Sequence, residues 1–377
     1  MSLAYAELAQ HDGFEDLPRP LDANAGLYTF WEIAAAPAYF ALDSEMVQLR
    51  CAGIETDKDG YNPSGVQSVK VHSYDADKTA IVIVRTEEDE GAYSAESRFC
   101  RYQASGELVE LDIARRPWED AAICVLADGT IVTSGVRAIW DKDDPTKLIR
   151  FFTEYYSGPT LDTQVYLGQS PDGHKDSRLA VIDGQIVIWT RPQQRSQEGK
   201  IHYTILNSID ELRGPSNEIG EHVAQAVYDR CEPVGAGIFA DGTWGGPNGA
   251  VDVGGGWALV QCHVSHRLWE AAISQKPEGS TTSLSEVLRY DGFMLLHHPA
   301  TGAAYIFGPH VSERQFPVGG AKWPKVRQVA FPGGLHDVRV FSDGNIEGRS
   351  TVGVRDKDMY AISWRTVHSL AKILLGQ

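Results

Sequence analysis

The sequence contains no run of about 18 consecutive apolar residues and no basic-then-apolar leader at its start. A membrane-spanning helix and a secretory signal are therefore not expected, and the reading is a soluble protein of the cytosol. Positive charge is scarce: 34 Lys and Arg stand against 51 Asp and Glu, for a formal net charge of −17. A field of that sign opposes binding to nucleic acid or to an anionic membrane, so any anionic substrate needs a local cluster of cations. Cysteine is scarce too. Cys51, Cys100, Cys124, Cys231 and Cys262 are odd in number, widely spaced and set in mostly apolar or strand-like surroundings. That pattern suits reduced core thiols better than a disulfide framework or a CxxC metal site. The patterns GxxxxGK[ST], GxSxG, HExxH and a strand-linked GxGxxG are all missing, which leaves P-loop, hydrolase-elbow, zincin and dinucleotide-binding readings without support. No metal and no cofactor are expected.

What is present is a chain of 377 residues, 42% apolar and 23% charged, long enough for one large core with decoration. Residues 1–50 are expected to form an N-terminal extension. Within it Gly26 to Leu49 is rich in alanine and aromatics and reads as helical or irregular, interrupted at Pro37. From Trp364 to Leu375, Val367, Leu370, Ile373 and Leu374 fall at helical spacing, so 364–377 reads as a C-terminal amphipathic helix. Between them, 51–363 is a succession of short β-rich runs. YDADKTAIVIV, LADGTIVTSG, VIDGQIVIW, FADGTWGG, HPATGAAYIF and FSDGNIEG each place an Asp-Gly-like or Thr-Gly turn before or between strand-forming residues. Their markers Asp77, Asp128, Asp183, Asp241, Thr301 and Asp343 stand 51, 55, 58, 60 and 42 residues apart. Four-stranded blades need about 40 to 50 residues plus loops, so the expected fold is all-β, a five-bladed β-propeller; a non-repeating sandwich or barrel is the alternative.

In a propeller, function gathers where loops of successive blades meet the central channel. Lys175, Asp176 and Arg178 precede a strand and Arg191 follows its hairpin partner, so the four fall near one end of a single hairpin. A lysine point charge and planar arginine forks suit phosphate or sugar hydroxyls, while a surface salt-bridge set is the plainer reading. The glycine-dense DGTWGGPNGAVDVGGGW allows backbone to approach a ligand, with Trp244 or Trp257 as an apolar face and Asn248 as a bidentate amide. His263 and His266 are three apart in a strand, hence on opposite faces, which disfavours a metal pair and leaves one of them as an anion ligand or general acid. Arg85 and Glu87 end an apolar strand and stand apart from the acidic loop after them. In RRPWEDAAICV, Glu119 and Asp120 sit at a strand mouth beside Trp118, where a raised pKa would suit a general acid. Asp356 follows a Gly-Val strand.

The order of YNPSG, VRTE, WEDAAI, FFTEYYSG, SPDGHKDSRLAVIDGQIVIWTRPQ, GKIHYTIL, WGGPNGAVDVGGG, KWPKVRQVAFPGGL and VGVRD resembles a family once known only as a domain of unknown function. Its members are the mannogen-type β-1,2-mannosyltransferase/phosphorylases, five-bladed propellers related to the β-mannoside phosphorylases of glycoside hydrolase family 130. The resemblance runs from about Tyr61 to Asp356. It implies that Asp120 is the catalytic acid, that Lys175, Arg178, Arg191 and His263 hold phosphate, and that Tyr61, Asn62, Arg85, Glu87, Asp176, Asn248 and Asp356 meet the sugar. Glu119 becomes a neighbour that raises the pKa of Asp120 through like charge. The implied partners are a mannose-containing oligosaccharide and inorganic phosphate, a sugar phosphate or a nucleotide sugar; a homo-oligomer is left open. Hydrolysis of β-mannosides and carbohydrate binding without catalysis are the alternative functions. The chain departs from the family pattern at Ala121 for proline, at Ser177 for isoleucine, at Gln194 for glycine and in the lack of acids within KWPKVRQV.

Overall fold

The computed structural model describes residues 19–51, 60–69, 79–88, 94–103, 105–144, 147–193, 199–218, 220–267, 288–311, 326–354 and 358–374. Among them the regular structure is almost all β. The chain enters through a short strand β1 (Leu21–Asp22), a helix α1 (Phe30–Ala35) and a long strand β2 (Phe40–Cys51). Antiparallel groups then follow in chain order: β3 (Gly60–Val69), β4 (Thr79–Glu88), β5 (Ser94–Tyr102) and β6 (Glu107–Glu110); β7 (Glu119–Val125), β8 (Ile131–Trp140), β9 (Leu148–Gly158) and β10 (Val165–Gln169); β11 (His174–Ile182), β12 (Gln185–Pro192), β13 (His202–Leu206) and β14 (Glu232–Pro233). The next group is β15 (Thr243–Gly254), β16 (Trp257–Arg267), β17 (Leu288–His298) and β18 (Ala303–Val311). The last is β19 (Val326–Val340), β20 (Ile346–Val354) and β21 (Asp358–Thr366), completed by β2, which pairs antiparallel to β21 with Phe40 opposite Thr366. Short parallel contacts, Arg50 opposite Glu107 and Leu288 opposite Val326, stitch neighbouring groups together.

The turns read from the sequence are where the strands reverse. Asp183 and Gly184 have φ of 47° and 78°, the pair of left-handed residues a two-residue hairpin with native twist requires, and they set Ile182 opposite Gln185. Gly129, Gly302 and Gly344 have φ of 87°, 73° and 75° in the corresponding turns, and the Thr130 amide donates to Asp128 Oδ1 at 2.9 Å. Gly242 (φ 77°) turns the chain into β15, whereas Asp77 lies outside the described residues.

The first strand of each group packs on the first strand of the next: β3 on β7, β7 on β11, β11 on β15, β15 on β19, and β19 back on β3. Apolar clusters fill the space between groups. One joins Trp189, Ile201, Phe239, Val260 and Phe293; another joins Ile83, Phe99, Trp118 and Ile123. Within each group the strands alternate or are buried on both faces, as β8 is from Ile131 to Val136.

Both ends of the chain differ from the sequence expectation. α1 does form in the alanine-rich stretch, with a Thr29–Glu32 capping box and an end just before Pro37, but Phe40–Cys51 is a strand. Its partner β21 comes from the opposite end of the chain, and tertiary pairing overrides local preference there. The expected helix from Trp364 to Leu375 reduces to Ala371–Leu374, because β21 runs on to Thr366 and Trp364 is 1% exposed, its indole N–H donating to Ser350 Oγ at 2.9 Å. Leu370 and Leu374 pack as the helical spacing implies, while Val367 is exposed. All five cysteines are free thiols, and four of them are buried.

Candidate functional site

Each first strand breaks its register at least once, and two of these breaks build the site. In β7 the pairing with β8 slips between Glu119 and Ala122, and in β11 the pairing with β12 slips between Lys175 and Arg178. The residues absorbing the slips, Asp120 and Asp176, have φ of 48° and 52°. A non-glycine residue held there costs about 1–3 kcal/mol and persists only where its surroundings fix it. A bulge of this kind re-aims side chains, so acids and cations that simple alternation would send to opposite faces come together.

The surroundings that fix the bulges are polar. Arg178, 3% exposed, donates from Nη1 to the Asp120 carbonyl at 2.8 Å and to the Ser177 carbonyl at 3.2 Å, and from Nε to the Asn248 carbonyl at 3.0 Å. Ser134 Oγ donates to the Ser177 carbonyl at 3.1 Å. Behind β11 lies a buried hydroxyl cluster. Ser177 Oγ meets Thr153 Oγ1 at 3.2 Å, Thr190 Oγ1 at 3.0 Å and Tyr228 Oη at 3.2 Å, and Tyr228 Oη in turn meets Tyr155 Oη. Thr190 Oγ1 donates to the Lys175 carbonyl at 3.3 Å and Thr153 Oγ1 to the His174 carbonyl at 3.1 Å, so hydroxyls satisfy carbonyls beside the bulge.

Trp118 anchors the approach to β7. It is fully buried, and its indole N–H donates to Glu154 Oε2 at 2.8 Å, while Arg137 holds the other Glu154 oxygen at 3.1 Å. The Trp118 indole packs directly against Gly135, where any Cβ would overlap the ring. The glycine of TIVTSGV is thus there for close approach.

Four cations and three carboxylates share the space in front. Arg85 Nη1 lies 3.3 Å from Asp120 Oδ1, and Lys175 Nζ lies 3.1 Å from Glu119 Oε2 with the Phe151 ring beneath it, 5.2 Å to the centroid. Arg191 Nε stands 2.6 Å from Asp176 Oδ2 in a buried pair that lacks hydrogen-bond alignment, so the contact is one of charge. On the facing strand, Gly246 leaves room for both the Asp176 carboxylate and the His263 ring; a side chain there would overlap the carboxylate. His263 Nδ1 is 2.9 Å from Asn248 Oδ1, and the Phe331 ring covers His263 at 4.8 Å between centroids.

These neighbours set the protonation states. Burial alone would raise the Asp120 pKa, but Arg85, Lys175, Arg178 and Arg191 outweigh it and pull it from 3.8 down to about 2. Burial would lower Lys175, and Glu119 and Asp120 outweigh that to hold it above its ordinary value. Burial pushes Asp176 up against the pull of Arg191. His263 falls well below its ordinary value through burial and then the Arg191 charge, so its ring is neutral. A neutral ring donating from Nδ1 to the Asn248 amide oxygen keeps Nε2 as an acceptor.

The sequence expectations divide accordingly. Asp120, Arg85, Lys175, Asp176, Arg178, Arg191, Asn248 and His263 come together through the contacts above. Tyr61, Asn62 and Glu87 fall on β3 and β4, with Asn62 opposite Arg85 and Gly60 opposite Glu87, but their side chains lie outside the described residues, as does all of Asp356. The expectation of a raised Asp120 pKa is reversed: the like charge of Glu119 is spent on Lys175, and four cations dominate. Trp257 is no sugar platform, being 5% exposed in a core cluster with Leu259 and Leu296. His266 turns away from the site, stacking on Phe30 at 5.9 Å with Nδ1 3.1 Å from the Gly242 carbonyl. The hydroxyl cluster, Glu154 and Phe331 were missed. Ser177 alone carried a signal, as a polar residue where the resembled pattern has isoleucine.

Comparison with solved structures gives the fold a context. A mannose phosphorylase from Leishmania mexicana, MPT-4, solved with phosphate ion, is similar over 88% of this chain and 90% of its own, with 21% identity and a TM-score of 0.63. MPT-1, a GDP-Man-dependent mannosyltransferase from the same organism, is similar over 85% and 88%, with 20% identity and a TM-score of 0.61. A hypothetical protein from Leishmania major follows at 20% identity, 85% and 89% coverage and a TM-score of 0.57. At these identities the likeness establishes a shared fold. No curated protein matches the chain. Residues 44–364 match the family described as protein of unknown function DUF1861, and the chain belongs to that family.

Proposed function

We propose that this protein transfers mannosyl groups between phosphate and a β-mannoside, by inverting phosphorolysis and its reverse, on β-1,2-linked oligosaccharides. The observation that carries the reading is Asp120, ionised and ringed by Arg85, Lys175, Arg178 and Arg191. In phosphorolysis, the Asp120 carboxyl gives a proton toward the glycosidic oxygen, directly or through a sugar hydroxyl. A phosphate oxygen held by Lys175, Arg178 and Arg191 attacks the anomeric carbon from the opposite face as the C–O bond to the leaving sugar breaks. The products are mannose 1-phosphate of inverted configuration and a shortened acceptor. In synthesis the Asp120 carboxylate takes the proton of the acceptor hydroxyl, and the cations stabilise the departing phosphate, free or as part of GDP. The low pKa that the cations impose on Asp120 suits the base role directly. Bound phosphate neutralises the cations that depress Asp120, and this lifts it toward the acid role. His263, neutral and with Nε2 as acceptor, takes a hydrogen bond from a protonated phosphate oxygen or a sugar hydroxyl. Asn248 and Asp176, with Tyr61, Asn62, Glu87 and Asp356, orient the ring.

The same proposal takes the antiparallel groups as five propeller blades between about residues 51 and 363, with β2 as the closing strand of the last. The circuit of first strands, ending with β19 on β3, supports it. Free buried thiols support a reducing, cytosolic setting. The likeness to MPT-4 and MPT-1 supports testing phosphate as the acceptor in phosphorolysis and GDP-mannose as a donor in synthesis.

The test is incubation of β-1,2-mannooligosaccharides with and without inorganic phosphate, and of mannose with mannose 1-phosphate or GDP-mannose, with linkage analysis of products. Phosphate-dependent release of mannose 1-phosphate is expected. Free mannose released equally without phosphate would replace the reading by hydrolysis, and binding without product by a carbohydrate-binding module.

A further inference from the structure

Beside the charged site lies a cavity of about 280 Å³, between the start of β5, the segment leading into β7 and the middle of β8. Glu119 belongs to both: it lines this cavity and holds Lys175 at 3.1 Å. Asp120 does not line it, so the cavity is set one step back from the reacting atoms. Its walls carry Glu96, Arg115 and Arg116 besides Glu119, over an apolar surface that includes Val136 and Ala138. Arg116 lies over the Tyr156 ring at 3.9 Å, which holds its guanidinium donors in a fixed plane, and Arg115 is held by Glu110 at 2.8 Å and Glu96 at 3.1 Å.

Resting on the reading above, we propose that this cavity takes a further pyranose unit of the acceptor, beyond the sugar whose oxygen meets Asp120. Two carboxylates offset two guanidinium groups on its walls, so the cavity has no excess positive charge to favour a phosphate chain. Hydroxyl groups both donate and accept, and a wall offering carboxylate acceptors and guanidinium donors over apolar carbon matches a sugar ring with its polar rim and C–H face. Drug-sized ligands fill about 300–1,000 Å³, so the volume suits one sugar unit and not a nucleoside diphosphate. The enzyme is therefore selective for acceptor length, preferring oligosaccharides that reach past Glu119.

The experiment measures kcat/KM for phosphorolysis of the β-1,2-linked disaccharide and trisaccharide in the wild type, in Ala138→Phe, which fills the cavity, and in Arg116→Ala, which removes its fixed donors. In the wild type the trisaccharide is expected to exceed the disaccharide by about tenfold or more, and in both variants this ratio falls toward one. Because the ratio is internal to each variant, a general loss of activity does not imitate the result, and Arg116→Ala decides alone if Ala138→Phe fails to fold. A wild type that turns over both substrates equally, or a ratio that survives in the folded variants, overturns the cavity's role and leaves mannosyl transfer standing. A wild type without phosphate-dependent turnover of either substrate overturns both.

Discussion

Replacing Asp120 by Asn keeps its shape and removes the charge that four cations surround, so its consequences follow from both the chemistry and the electrostatics. A group whose folded pKa is depressed contributes stability above its unfolded value and loses it as pH falls through the folded value. For Asp120 these limits are 3.8 and about 2, a difference on the order of 2 kcal/mol at neutral pH. Asp120→Asn therefore lowers Tm by several degrees at pH 7, and the gap to wild type narrows as pH approaches 2.5. The same charge removal leaves Arg85, Lys175, Arg178 and Arg191 less compensated, so phosphate binds the variant more tightly. Turnover moves the other way: loss of a general acid costs on the order of 10² to 10⁴ in rate. A 4-nitrophenyl β-mannoside, whose leaving group departs without a proton, recovers most of the loss in phosphorolysis. Melting curves across pH, calorimetry with phosphate and paired assays on the natural and nitrophenyl substrates read these effects separately. Full activity of Asp120→Asn on the oligosaccharide, or an equal loss on both substrates, would refute the assignment of the proton to Asp120.

Sulfate, a dianion across the useful pH range, should take up protons as it binds, because it relieves the cations acting on Asp120 and His263. Its affinity rises as pH falls from 7 to 4, and calorimetry in buffers of different ionisation enthalpy counts the protons; uptake retained in full by Asp120→Asn would move the effect to His263. Ser177→Ala deprives Thr153, Thr190 and Tyr228 of a shared partner, at a cost of about 1–3 kcal/mol in denaturant unfolding. It also loosens the carbonyls of His174 and Lys175, so the KM for phosphate rises several-fold with a smaller change in kcat, and an unchanged phosphate KM would confine the cluster to folding. Gly135→Ala drives a methyl into the Trp118 indole and costs about 1–3 kcal/mol or more, read as a fall in Tm with loss of the Trp118–Glu154 hydrogen bond.

Much of the fold was legible because its signals are local. Asp183 and Gly184 dictate their hairpin within two residues, and the recurring turns mark where strands reverse. The closure of β2 on β21 was not legible, since neither segment carries the other's register and the alanine-rich stretch has its own helical preference. In the site, Lys175, Asp176, Arg178 and Arg191 could be placed together because one hairpin carries them all. The state of Asp120 could not be read: locally it has an acidic neighbour and a tryptophan, which argue for a raised pKa, while the cations that lower it arrive from β4, β11 and β12. The bulges are equally silent in the sequence. Aspartate tolerates left-handed backbone, but nothing in WEDAA or HKDSR states that it adopts it.

The compensation within this cluster also resolves the tension between a chain of formal charge −17 and the anionic substrate proposed for it. At long range the protein repels phosphate, so diffusional attraction cannot carry binding. At short range each cation already has a partner: Arg85 has Asp120, Lys175 has Glu119, Arg191 has Asp176, and Arg178 has three carbonyls. In the proposed function, phosphate enters by exchanging with those partners instead of filling an unpaired positive hole, whose desolvation and mutual repulsion would be costly. Of the three carboxylates, Asp120 is the one whose release is chemically useful, because a carboxylate freed from its cations regains its affinity for a proton. In the proposed function, anion binding and acid catalysis are in this way the same electrostatic event, and the cations and the acid are carried by strands that touch.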